Sequence, residues 1–184
     1  MPAMKKLIPP LQQGVALIEA LIAMLIVAFG VLGFVGLQAR TTVANLEGYQ
    51  RSQALILVND MVERMKLNRI NAATYVSSNI GTTAPGDCTN VALTASQKDI
   101  CEWATTLQGA GEVQGGTKVG AMLNARGCIT NPATNQYLIA VAWQGLQPSG
   151  APTNTCGQNA YSSEDTRRVV SVVMQVAQLV DPAP

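Results

Sequence analysis

Residues 15–37, VALIEALIAMLIVAFGVLGFVGL, run for 23 positions with a single charged side chain, Glu19. About 20 apolar residues in a helix cross the hydrocarbon core of a bilayer, so this stretch is long enough to span one. A plain anchor does not explain the carboxylate five residues in. A charge at mid-bilayer costs roughly 2.5–3.5 kcal/mol on insertion scales, less near the end of a span, and it still needs a partner. Gly14 stands where the polar N-terminal stretch meets the apolar run. A cut after Gly14 would give Val15 a new α-amine, one helical turn before Glu19. That amine, on the same chain or on a neighbouring subunit, would make the carboxylate half of an ion pair.

Gly14-Val15-Ala16-Leu17-Ile18-Glu19 follows a leader carrying Lys5 and Lys6 and precedes the long apolar helix. In this the chain resembles a type IV prepilin, whose pattern is Gly-Phe-Thr-Leu-Ile-Glu. It departs from that pattern at Val15 and Ala16. The resemblance implies cleavage after Gly14 by prepilin peptidase and N-methylation of the new N-terminus, here Val15 rather than phenylalanine. The alternative is an ordinary signal anchor. A cleaved secretory signal fits poorly: its apolar core is shorter, and a small residue is expected where Gln12 stands. Lys5 and Lys6 predict a cytoplasmic N-terminus and a periplasmic remainder.

A chain of 184 residues allows one domain plus an anchor. Loss of the leader takes the charged side chains from 12 basic and 11 acidic to 10 and 11. A near-neutral chain argues against nucleic acid as a partner. Cys88, Cys101, Cys128 and Cys156 all follow the apolar run, in the part that would meet an oxidising compartment. Their spacings do not match the close cysteine pairs of zinc sites. Two disulfides are expected. Sequence permits three pairings; Cys88–Cys101 and Cys128–Cys156 are chosen because each joins sequence neighbours and closes one loop.

Gly30, Gly33 and Gly36 lie near one helix face. They either allow close helix approach or let the segment bend. Residues 38–70 lack proline, and Val43, Leu46, Ala54, Val58, Met61 and Met65 approximate one apolar stripe. Arg64, Lys66 and Arg69 suit the C-terminal end of a helix dipole. One helix from residue 15 to about 71 is expected, roughly 85 Å long. Residues 71–90 read as its stop and a loop. A short helix follows, capped by Thr94 or Ser96, with Ile100, Trp103, Ala104 and Leu107 on one face and Gly109 at its end. Residues 109–120 read as a loop. Strands are expected over 121–130, 137–143 and 168–179, with a hairpin connection at 131–135 and a long polar loop at 145–165. An antiparallel sheet laid on the amphipathic helix would bury both apolar faces.

Asn59-Asp60-Met61-Val62-Glu63-Arg64-Met65, with Asn68 and Tyr75, is similar to a segment of PilV-type minor pilins. Trp103 and Trp143 fit that type too. The bland reading is that Met61, Met65 and the tryptophans are core, and that Asp60, Glu63 and Arg64 form a solvated or intrahelically salt-bridged face.

The resemblance implies the α+β type IV pilin fold. Its parts would be a leader (1–14), a membrane and filament-core helix (15–37), an amphipathic helix (38–71) and a globular head (72–184). It implies a minor pilin that primes or joins a type IV pilus, first in the inner membrane and then at the cell surface. Its partners would be other minor and major pilins, prepilin peptidase, the inner-membrane assembly platform and membrane lipid, with no cofactor. The alternative within the same fold is a minor pseudopilin of a type II secretion system. An enzyme is disfavoured: the absence of histidine removes His-based triads and most zinc hydrolases, and no Gly-rich phosphate loop follows a strand.

Overall fold

The computed structural model describes residues 13–110, 113–118 and 122–177. Lys5, Lys6 and Gln12 of the leader lie outside these, as do Ala121 and residues 178 and 179, expected at strand ends. The chain divides into two compact units, Met1–Asn45 and Leu46–Pro184.

Helix α1 spans Gln13–Leu67. In the first unit every residue from 15 to 42 is exposed. In the second unit the helix becomes a core element. Ala54, Val58, Met61 and Met65 are completely buried, and Val62 nearly so. Leu46, expected on that stripe, is 49% exposed, and Val43 is not buried either. The periodicity runs on toward the N-terminus, but apolar burial starts only at Ala54.

α1 ends at Leu67, short of residue 71. Asn68 leaves helical geometry at φ −117° and ψ 39°, and a 3₁₀ helix, Arg69–Tyr75, follows. The Asn68 side chain donates to Tyr75 Oη (3.1 Å) and accepts from Asn71 (2.8 Å), local bonds that compete with the helix. The stretch expected to be only a loop also contains strand β1, Ser77–Ile80. Helix α2, Ala95–Leu107, has Thr94 as N-cap in a reciprocal capping box with Gln97. It stops at Gly109, which takes φ 81°. The N–H groups of Gly109 and Ala110 donate back to Thr106 and Thr105 carbonyls, a Schellman closure.

Within the expected glycine-rich loop, β2 (Val113–Gln114) and β3 (Thr117–Lys118) pair as a small hairpin. The main sheet joins β1, β4 (Arg126–Ala133), β5 (Gln136–Gln144) and β6 (Arg167–Gln175), antiparallel in that order. β4 runs three residues past Thr130, with a register shift between Thr130 and Ala133. Pro132 sits in that shift, where its missing N–H costs no ladder bond. The hairpin turn is thereby reduced to Thr134 and Asn135, the latter at φ 57°.

Alternation along β5 sorts the sheet into two faces. Tyr137, Ile139, Val141 and Trp143 join Ile129 and Met174 in one core with α1 and α2. Ala140 and Ala142 join Cys128, Cys156, Tyr161 and Val169 in a second, smaller cluster on the other face. Trp103 lies so close over β4 that a Cβ at Gly127 would sit 2.1 Å from its ring, so only glycine fits there. The Trp103 indole N–H donates to the Leu57 carbonyl of α1 at 2.8 Å.

Candidate functional site

Gly14, Val15 and Glu19 lie in the first turns of α1. Val15 is 60% exposed, and no side chain covers Glu19. Fifteen large apolar side chains between Val15 and Leu37 are exposed by half or more, a surface that water does not tolerate. A Cβ at Gly30, Gly33 or Gly36 would meet nothing within 4 Å, so those positions leave open space for a neighbour. Among the described residues α1 alone is long and apolar enough to cross a membrane, by length and composition. The arrangement holds one carboxylate inside an otherwise apolar, uncovered helix.

In the second unit the polar residues of α1 tie elements together. Arg64 donates through Nε to Asp60 at 3.1 Å and through Nη1 to Asp99 (3.2 Å) and Glu102 (2.7 Å) of α2. This face is therefore not merely solvated or intrahelical: it joins two helices. Burial works against the Arg64 charge, but the bond to Glu102 and the Asp60 charge outweigh it and raise its pKa. Tyr75, fully buried, donates to Asp99 Oδ2. Burial, and then that carboxylate, push its phenol up to about 12. Lys66 pairs with Glu63 on the surface. Among the described residues no group of three or more His, Cys, Asp and Glu could hold a metal ion.

Disulfides join Cys88 to Cys101 and Cys128 to Cys156. The first fastens an irregular stretch to α2. The second fastens the 145–165 loop to β4 and is buried. Four side chains with no partner assigned from sequence, Arg167, Glu164, Glu47 and Arg168, complete the loop's attachment. Arg167 is 2% exposed; its guanidinium donates to Glu164 (2.6 Å) and to the carbonyls of Pro152 (3.1 Å), Asn154 and Cys156 (3.0 Å). The Asn159 N–H, and then Arg167, hold the Glu164 carboxyl below the usual range. Glu47 of α1 accepts from the N–H groups of Leu146 and Gln147 and from Arg168. The available signal was small: Glu164 lies three residues before a pair of arginines that open a strand.

The long apolar helix, the amphipathic continuation packed on a four-stranded antiparallel sheet, and the two disulfides make this a type IV pilin fold. A family model described as Tt1218-like, type IV pilin Tt1218, matches residues 36–104, from Gly36 of α1 to Ala104 within α2. The chain is similar to that family over those residues, which supports a pilin role and, with it, membrane anchoring and assembly with other pilins. No curated protein and no solved structure matches it.

Proposed function

We propose that the protein is a minor pilin of a type IV pilus. The observation that carries the reading is the wholly exposed stretch 15–37 with its one carboxylate, Glu19. Such a surface needs lipid first and neighbouring helices afterwards. Prepilin peptidase would cut after Gly14 and methylate Val15, removing residues 1–14. The subunit would wait in the inner membrane, N-terminus cytoplasmic and head periplasmic. The assembly platform would then move it into a filament of minor and major pilins. There Glu19 would pair with a Val15 amine, its own or a neighbour's. An unpaired carboxylate in so apolar a setting is costly, so the pair would set register.

Two substitutions separate the steps. Gly14→Val should accumulate uncut protein in the membrane, because a side chain intrudes where the peptidase fits backbone. Glu19→Val should be cut yet enter filaments poorly, and Glu19→Gln should behave more like Glu19→Val than like wild type. Mass spectrometry of the mature N-terminus and immunoblots of sheared filaments read the two steps. Gly14→Val protein that begins at Val15, or Glu19→Val protein that enters filaments at the wild-type level, overturns the reading. Deletion that abolishes exoprotein secretion but leaves surface pili would assign the chain to a type II secretion system instead.

A further inference from the structure

Residues 46–53 of α1 meet the rest of their unit in an unusual way. Apolar burial begins only at Ala54; before it, Leu46 and Tyr49 are 49% and 47% exposed. Among the described residues, the side-chain hydrogen bonds and the ion pair that tie these two turns to the sheet and its loops all come from Glu47. Glu47 Oε1 accepts from the backbone N–H of Leu146 and of Gln147, each at 3.2 Å. Arg168 Nη2 reaches both Glu47 oxygens at 3.3 and 3.4 Å and donates to the Gln147 carbonyl at 2.6 Å. The ionic pair also lines a cleft of about 340 Å³, together with Gly48, Arg51, Trp143, Val169 and Val170.

Two features set the closed arrangement against itself. Gln50 Oε1 is buried with no hydrogen-bond partner, which costs free energy that contact with water would return. The Arg51 guanidinium makes no hydrogen bond or ion pair among the described residues, although it lines the same cleft. It stands four residues after Glu47, the favourable helical order for an acid followed by a base. A Glu47 that left Arg168 would therefore find a second cation one turn along its own helix.

We propose that residues 46–53 are a releasable arm, with Glu47 exchanging between two partners. In the closed state Glu47 holds Arg168 and the Leu146–Gln147 amides. In the open state it pairs with Arg51, Gln50 is hydrated, and the cleft floor of Trp143, Val169 and Val170 is uncovered. Two discrete arrangements of one carboxylate give a two-state element rather than a softly bending helix. The inference does not depend on the filament reading.

The test is amide hydrogen exchange on the full chain in detergent micelles, read at Leu146 and Gln147, whose N–H groups are the latch itself. Glu47→Ala removes the charge-assisted bonds and should speed exchange there by about tenfold. Arg51→Ala removes the competing partner and should slow it by about twofold. Gln50→Leu should slow it too, since the unpaired carbonyl is gone. Exchange at Met61 and Val62, deep in the same helix, should stay unchanged in all three and report intact folding. The opposite signs are the decisive point, because general destabilisation speeds exchange in every variant. If Arg51→Ala speeds exchange at Leu146 and Gln147, or if Glu47→Ala leaves it at the wild-type rate, there is no such arm.

Discussion

The two faces of the main sheet are held by different physics. The inner face is a continuous apolar core: Met61 and Met65 of α1, Trp103 and Leu107 of α2, and Ile129, Ile139 and Val141 of the sheet. The outer face has only a small cluster around Cys128, Ala140, Ala142 and Cys156, under a loop with little regular structure. There a disulfide and a buried guanidinium do what packing does on the other side. Burial of apolar area is non-directional and tolerates repacking. A crosslink and a buried charge are specific and intolerant: each holds only if its partners stay in place.

The contrast can be broken from either side. The largest effect should come from Trp103→Ala, which empties the space between α1, α2 and Gly127. A loss of about 3–5 kcal/mol is expected, with cooperative unfolding of the whole head by denaturant. Replacing Cys128 and Cys156 together by serine releases a crosslink of sequence separation 28, worth about 3.6 kcal/mol in the chain-entropy model. Its effect should reach the 145–165 loop first. Arg167→Ala should cost about 3 kcal/mol, because it strands Glu164 and three carbonyls at once. Hydrogen exchange should rise at residues 153–164 while β5 amides stay protected. If β5 loses protection equally, the two faces are one cooperative unit and the contrast fails.

The smallest effect separates the faces by pH. Burial and Asp99 raise Tyr75 to about 12 on the inner side. Burial also raises Tyr161 on the outer side, against the opposing charge of Arg126. A raised phenol means the folded state holds its proton more tightly than the unfolded chain. That contribution is complete below about pH 10 and lost as pH rises through the folded value. Thermal melts between pH 9 and about 12 should therefore fall, and Tyr75→Phe should flatten the fall more than Tyr161→Phe does. An unchanged alkaline limb in Tyr75→Phe would remove the phenol from the account.

The same division explains what could be read from sequence. Val58, Met61 and Met65 repeat at helical spacing, and Tyr137, Ile139, Val141 and Trp143 alternate, so the inner face announces itself through periodicity. Leu46 misled for the same reason: period reports a face, not how far the neighbouring layer extends along it. β1, Ser-Ser-Asn-Ile, has no alternation to see and is a strand only because β4 offers it partners. Arg167 left no hydropathy signal, since a charge is ordinarily exposed and only Glu164 with the carbonyls of 152, 154 and 156 makes its burial tolerable. Glu47 and Arg168 stand 121 residues apart, beyond any local pattern.

That separation has a consequence for the order in which the chain comes off the ribosome. The stripe from Ala54 to Met65 is synthesised early, and its partners Ile129, Ile139 and Met174 come late. At roughly 5–20 residues per second, the stripe precedes Met174 by on the order of 5–20 s. Hairpin β4–β5 has a two-residue turn and closes locally, but β6 must cross a 22-residue interval after β5 before it can add. Through that interval Met61 and Met65 lack the last strand of their core. The stripe is thus only partly covered until β6 adds, and a chaperone that binds apolar helix faces would find its target up to that point.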